Sequence, residues 1–267
     1  MISHTAALVL VAAAATALAK PTVLVTGATG RTGQLLYATL KNDTRIGSVR
    51  ALVRAGDGAT DKARKALHCK KCDATEGIYY GDVTVMSSLS EAVAGVDTVA
   101  IAVGASPFMN KTLQRAIEFT GVENQVAALA KAASSDGGAL SDKRVVLCSS
   151  MGTTDPNPAP YEGGSVLFWK LNAEAMLGST APLGTVIVKP CGIEGTYGRG
   201  GKQLLVGHDD SLPVMAGSIS RADLAAVMAE AVATRATGLR FDLCVGDGPP
   251  TTDLGALLRD AHYPWQL

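Results

Sequence analysis

A chain of 267 residues, 47% of them hydrophobic and 18% charged, can bury a large core, which excludes a disordered or fibrous polypeptide. Its 24 basic and 24 acidic side chains cancel, the one basic stretch (Lys62 to Lys71) is short and interrupted, and only 4% of residues are aromatic. Neither a nucleic-acid backbone nor stacked bases are expected partners.

Residues 1–19 stand apart. Ala6 to Ala19 is almost wholly Ala, Val and Leu, carries no Lys, Arg, Asp or Glu, and ends in the small-x-small sequence Ala17-Leu18-Ala19. It is too short for a stable membrane span. The pattern fits a cleavable secretory signal, with Lys20 as the mature terminus and a lumenal or plastid destination. The alternative is an N-terminal extension of a cytoplasmic protein.

The apolar run Pro21-Thr22-Val23-Leu24-Val25 carries a first strand, Thr22–Thr26, from which the run Thr26-Gly-Ala-Thr-Gly-Arg-Thr-Gly33 leads on. A helix then starts near Thr32 and runs to Leu40. Strand, glycine turn and helix N-terminus form a cradle for a pyrophosphate, because first-turn N–H groups and the helix dipole both favour an anion there. Gly27 permits the tight turn, Gly30 a close backbone approach and Gly33 close helix packing. Thr29, Arg31 and Thr32 complete the loop. The spacing points to a dinucleotide.

The second strand, Ser48–Arg54, selects between dinucleotides. An NAD-binding fold places an acid here to grip the ribose 2′-hydroxyl. This chain ends the strand with Arg54, and Arg31 in the glycine loop is a second candidate for the same ribose. A guanidinium suits a 2′-phosphate, so NADP (NADPH) is the expected cofactor.

Further along, helices are expected near Lys62–Leu67, Ser87–Val93, Asn110–Ala133, Val166–Leu177, Arg221–Thr234 and Thr252–Leu258. Between them lie strands at Gly77–Tyr80, Asp97–Val103, Arg144–Ser149, Gly184–Lys189 and Arg240–Val245. The alternation predicts an α/β fold, a doubly wound parallel sheet of the Rossmann type spanning residues 20–267. Asp82 and Val83, after the third strand, are placed to meet the adenine. Val103 and Gly104, ending the fourth, face the ribose. Asp155–Pro160 is a loop at the carboxyl edge, where ligands bind in such sheets. The turn-rich stretch 193–218, with 247–267, reads as a small C-terminal substrate lobe.

Five cysteines are odd in number and scattered, so no disulfide framework is evident. Cys148, Cys191 and Cys244 sit in or beside strands and read as small buried apolar groups. Cys69-Lys-Lys-Cys72 has the spacing of a redox pair or half a zinc site. A second CxxC is missing, so a solvated connection is preferred and no metal is assigned.

Several motifs in order resemble the atypical short-chain dehydrogenase/reductases, in particular the NmrA-like, NAD(P)H-binding group that includes plant Rossmann proteins. They are Pro21–Gln34, Gly81–Thr84, Ser150-Met151-Gly152, Phe168-Trp169-Lys170, Leu204–Asp210 and Arg221–Asp223. The resemblance covers nearly everything after Pro21. It implies an oxidoreductase acting on a small molecule, in which a Tyr-x-x-x-Lys pair and a Ser work beside the nicotinamide. On that basis Lys170 and Ser150 are catalytic candidates, with Lys170 also a cofactor ligand. Ser149 and the run Pro190-Cys191-Gly192-Ile193 would then lie along the cofactor.

One departure matters: Val166 occupies the tyrosine position, so the usual proton donor is missing. Tyr161 lies upstream in a Pro/Gly-rich loop. Tyr37-x-x-x-Lys41 matches the pattern but lies on the first helix and is a decoy. Ser220-x-x-Asp223 reads as a capping box. The leading expectation is therefore an NADP-dependent oxidoreductase on an unidentified small substrate, and the alternative is a non-catalytic NADPH-binding sensor. The chain is compatible with either a monomer or a homodimer.

Overall fold

The computed structural model describes residues 19–106, 108–154, 166–195, 198–212 and 217–263. Tyr161, the Asp155–Pro160 loop and residues 1–18 of the expected signal lie outside them.

Strand β1 (Thr22–Thr26) sits inside an eight-stranded sheet. The order is β3-β2-β1-β4-β5-β6-β10-β8, with β2 at Ser48–Arg54, β3 at Ile78–Gly81, β4 at Thr98–Ile101, β5 at Arg144–Cys148, β6 at Gly184–Pro190, β8 at Gln203–Gly207 and β10 at Leu239–Gly246. All neighbours run parallel except β8, which is antiparallel to β10. Both faces of the sheet are covered, which is why its strands read as continuous apolar runs. Val23 and Val25 join the core on one face and Leu24 the core on the other. Val186 and Val188 oppose Ile187 in the same way. Helices α1 (Gly33–Lys41), α2 (Ala59–Leu67), α7 (Arg221–Ala233) and α8 (Leu254–Asp260) cover the first face. The second is covered by α3 (Ser90–Val93), α5 (Gly121–Ser135) and α6 (Val166–Ser179).

The order reverses between β2-β1 and β4, leaving a crevice at the carboxyl edge. The long helix expected at Asn110–Ala133 is present but not uniform. Asn110 caps α4 (Lys111–Arg115), a π-helical turn spans Ala116–Thr120, and α5 continues from it.

Two expectations change. The turn-rich stretch is only partly a separate lobe, since β8 joins the main sheet. A small parallel pair, β7 (Gly192–Glu194) with β9 (Ser218–Ser220), stands apart from it. Two disulfides also exist, Cys69–Cys72 and Cys191–Cys244. The second follows from register: Leu243 lies opposite Pro190, so the next residues on β6 and β10 meet side by side. Scattered positions in sequence hid a pair that strand pairing creates. Cys191 and Cys244 are buried as expected, but as a cross-link, and Cys148 is the free thiol. Among the described residues no helix is long and apolar enough to cross a membrane.

Candidate functional site

Gly27 has φ +68°, and a Cβ there would stand 2.6 Å from the Ala102 carbonyl oxygen of the neighbouring strand end. Only glycine fits. Its carbonyl accepts the Gly30 N–H at 2.8 Å, closing the turn, and a Cβ on Gly33 would collide with that same carbonyl. Thr32 occupies the N-cap of α1 without a side-chain cap bond, and the first turn holds no acidic residue. An anion meets no competing charge from this helix.

A cleft of ≈ 330 Å³ opens from this turn across the switch point. Gly27, Thr29 and Gly30 form one end, and Asp82, Val83, Val103 and Gly104 line the middle. Arg54 also borders it, opposite Gly81 in register. A second cation joins Arg54 there, Lys62 from α2. The Asp82 carboxylate accepts the Thr84 N–H at 2.8 Å and the Thr84 hydroxyl at 2.7 Å through one oxygen. That fixes the carboxylate against its own turn. Arg31 stands elsewhere: its charge, after burial, lowers the pKa of Arg221 at the start of α7. Gly-only turn, acid-free helix start and paired cations fit a phosphate-bearing dinucleotide.

Beyond Gly104 the wall turns charged and buried. Glu118, on the π-helical turn, is 4% exposed. One of its oxygens accepts the Ala105 N–H at 2.6 Å, and the other pairs with Lys170 Nζ at 2.8 Å. Burial alone would lower the Lys170 pKa, but the Glu118 carboxylate, together with the nearby Cys148 and Glu174, outweighs it and raises it above the ordinary lysine value. Beside the pair, burial pushes the Cys148 thiol up. Val166 is buried where tyrosine was missing.

The remaining predicted residues are committed locally. The Ser149 hydroxyl donates to Glu174, which also accepts from Thr153 at 2.8 Å and pairs with Arg240 at 2.9 Å. The Ser150 hydroxyl turns back onto the Met151 carbonyl at 2.9 Å. Cys191 donates its N–H to Leu243 at 3.0 Å and its sulfur to the disulfide. Pro190 ends β6, Gly192 and Ile193 open β7, and the Ile193 carbonyl receives Arg221 at 3.4 Å. Ser220 and Asp223 form the expected cap, the Ser220 hydroxyl accepting the Asp223 N–H at 2.9 Å. Tyr37 is a buried core residue, as a decoy should be.

A family model described as NAD(P)H-binding matches residues 27–235. The chain belongs to the NAD(P)H-binding family. An uncharacterised chloroplast protein of Arabidopsis thaliana is 32% identical over 260 residues, covering 88% of this chain and 74% of that one. The sanguinarine reductase of Eschscholzia californica is 28% identical over 287 residues, covering 92% and 98% respectively. Among solved structures, a Bacillus halodurans protein provisionally named an NAD-dependent epimerase/dehydratase superposes with TM-score 0.68 at 25% identity, covering 90% of this chain and 99% of that one. An anaerobillin reductase from Escherichia coli O157:H7 shares the fold, with TM-score 0.60 at 21% identity over 86% of this chain and all of that one.

For this NAD(P)H-binding protein, sequence reasoning missed two residues. Lys62 was legible as a cation one turn into α2, but its place on the cleft that Arg54 borders depends on how α2 packs. Glu118 carried no signal, because a regular helix would not single out its position.

Proposed function

We propose that the chain is an NADPH-dependent reductase of a small, flat electrophile such as a conjugated carbonyl or iminium compound. The observation that carries this reading is a cleft with paired cations at one end and a buried Lys170–Glu118 pair beyond the other. Arg54 and Lys62 would hold the 2′-phosphate, Gly27 to Gly33 the pyrophosphate, Asp82 and Val83 the adenine. Val103 and Gly104 would meet the ribose, Lys170 the nicotinamide end, and Pro190 to Ile193 would line its far side. The bound cofactor supplies a hydride, and the protein positions both partners.

The rim of the cleft bears on substrate shape. Phe108, Leu113 and Phe168 are exposed large apolar side chains on the segments that flank the cleft. Phe168 also packs edge-on against Trp169, 4.9 Å between ring centres. Apolar groups beside a polar cleft suit a planar ligand. The Eschscholzia californica relative, named as a reductase, supports the same class.

The test is a titration with NADPH and NADH, followed by turnover on carbonyl, quinone and iminium panels. We expect tight NADPH binding, consumption of cofactor, and at least a hundredfold loss of turnover in Lys170→Ala. Stoichiometric binding without consumption on any panel would favour a sensor instead, a reading that Val166 supports. Cleavage after Ala19 is proposed too. Two disulfides favour an oxidising compartment, and the Arabidopsis relative is named as chloroplastic. Sequencing the mature terminus decides it, with Lys20 expected and an intact Met1 refuting it.

A further inference from the structure

Tyrosine's absence leaves open what holds and delivers a proton beside the nicotinamide end. Lys170 lies four residues beyond Val166, is nearly buried, and pairs with the Glu118 carboxylate at 2.8 Å. A buried lysine without a counter-ion sheds its proton, because a low-dielectric surrounding penalises the charged form. Glu118 sits at the one place where α4 and α5 are joined by a π-helical turn. Such turns insert an extra residue and re-aim side chains, and they concentrate at functional sites. Here the turn sends a carboxylate inward to 3% side-chain exposure. Its second oxygen holds the Ala105 N–H at 2.6 Å, so it is fixed from β4's exit loop as well as from α6. Gly104, which lines the cofactor cleft, is the adjoining residue, and a Cβ there would stand 3.7 Å from that oxygen.

We propose that Glu118 is a positioning residue: it keeps Lys170 an ammonium at the cofactor cleft, so that Lys170 replaces tyrosine as proton donor. The proposal rests on the reductase reading above. The reduced carbon gains a hydride supplied by the nicotinamide cofactor. A carbonyl substrate's oxygen gains a proton from Lys170 Nζ, and the neutral amine recovers one from water, whereas an iminium nitrogen is neutralised by the hydride itself and takes no proton. Glu118 neither loses nor gains a proton in the cycle.

Other groups near Lys170 do not replace Glu118. The Cys148 thiol, on β5, is pushed up by burial and stays neutral at working pH. Glu174, one turn on in α6, is occupied by Ser149, Thr153 and Arg240. Arg115, on α4, lies over the Trp169 ring with its guanidinium carbon 5.3 Å from the ring centre, and adds positive rather than negative charge.

The experiment reads Lys170 directly in the cofactor-free protein. Reductive methylation with carbon-13 formaldehyde gives each lysine a resonance, and Lys170→Arg assigns the one in question. Wild type is expected to titrate above the ordinary lysine value. Glu118→Gln should move that midpoint down by more than one pH unit, a more than tenfold shift in the protonation equilibrium, and Glu118→Asp should restore most of it. In turnover, Glu118→Gln should move the alkaline limb of the kcat profile to lower pH by the same amount, with KM nearly unchanged. An unmoved Lys170 midpoint in folded Glu118→Gln overturns the proposal. If that variant does not fold, a wild-type midpoint below pH 9 overturns it equally. Should wild type fail to bind NADPH at all, the reductase reading fails instead, which binding alone reveals.

Discussion

At the scale of single residues, cofactor choice rests on Arg54 and Lys62, two cations bordering one cleft where an NAD-specific fold would place a carboxylate. A charged hydrogen bond contributes about 1.5–3 kcal/mol. Removing one therefore changes the NADPH-over-NADH ratio by about ten- to hundredfold. Arg54→Ala and Lys62→Ala should each weaken NADPH within that range while leaving NADH affinity nearly constant, measured by cofactor fluorescence. An Arg54→Ala protein with unchanged preference would defeat the 2′-phosphate reading. Arg31 makes the contrast. It sits close enough to Arg221 to depress that residue's pKa, so Arg31→Ala should weaken both cofactors alike. Adjacent letters in the glycine loop named Arg31 readily, whereas placing Lys62 on the cleft that Arg54 borders needed α2 in place.

At the scale of elements, the sequence was most legible where one chemical rule acts locally. β1 and β2 fall on their expected residues, Thr22–Thr26 and Ser48–Arg54, because apolar runs bounded by turn residues leave little choice. The glycine turn was equally plain, since its φ and close approaches admit no other residue. What stayed hidden depends on distant pairing. β8 is a five-residue strand that exists because β10 offers an edge, and Glu118 points inward because a π-helical turn interrupts a helix whose sequence reads as regular. The turn after β8 is a further case. Lys189, fully buried on β6, pairs with Asp210 at 2.8 Å and with Asp242 at 3.2 Å. Asp210 also accepts the Gly152 and Thr154 N–H groups, each at 2.8 Å, tying the β8 turn to the loop after β5. Burial raises the Asp210 pKa, but Lys189 and those N–H groups outweigh it and hold it at about 2. Burial moves Asp242 the other way, upward. Because the folded Asp210 value lies below the unfolded one, its stabilisation is complete above about pH 4 and is lost as pH falls toward 2. The stability gap between wild type and Asp210→Asn, from urea unfolding, should therefore close between pH 4 and 2. A gap that stays constant over that range would assign the pairing no role.

For the whole molecule, the Cys191–Cys244 bridge joins cysteines 53 positions apart and encloses β8, β9 and α7. Closing a loop of that length restricts the unfolded chain by about 4 kcal/mol in the entropic account, and measured values run about 2–4 kcal/mol. Cys69 and Cys72 lie only three positions apart, so their bridge closes a far shorter loop and contributes less. The two also differ in access, since one sulfur of the first bridge, Cys69, is partly exposed although Cys72 is 2% exposed, whereas Cys191 is 6% and Cys244 0% exposed. Graded reductant should thus release Cys69 and Cys72 first, seen as two extra alkylated thiols by mass spectrometry without unfolding. The buried pair should open only with added denaturant. Replacing both of its cysteines by Ala should lower the unfolding free energy by about 2–4 kcal/mol, with NADPH affinity reduced because Pro190 to Ile193 lose their tether. The compartment argument depends on the same bonds. Protein recovered from its natural source under acid quench should therefore show one reactive thiol after denaturation, Cys148. Five reactive thiols in that sample would remove the argument for an oxidising compartment and leave the fold itself intact, because β6 and β10 pair through their backbones whether or not the sulfurs are joined.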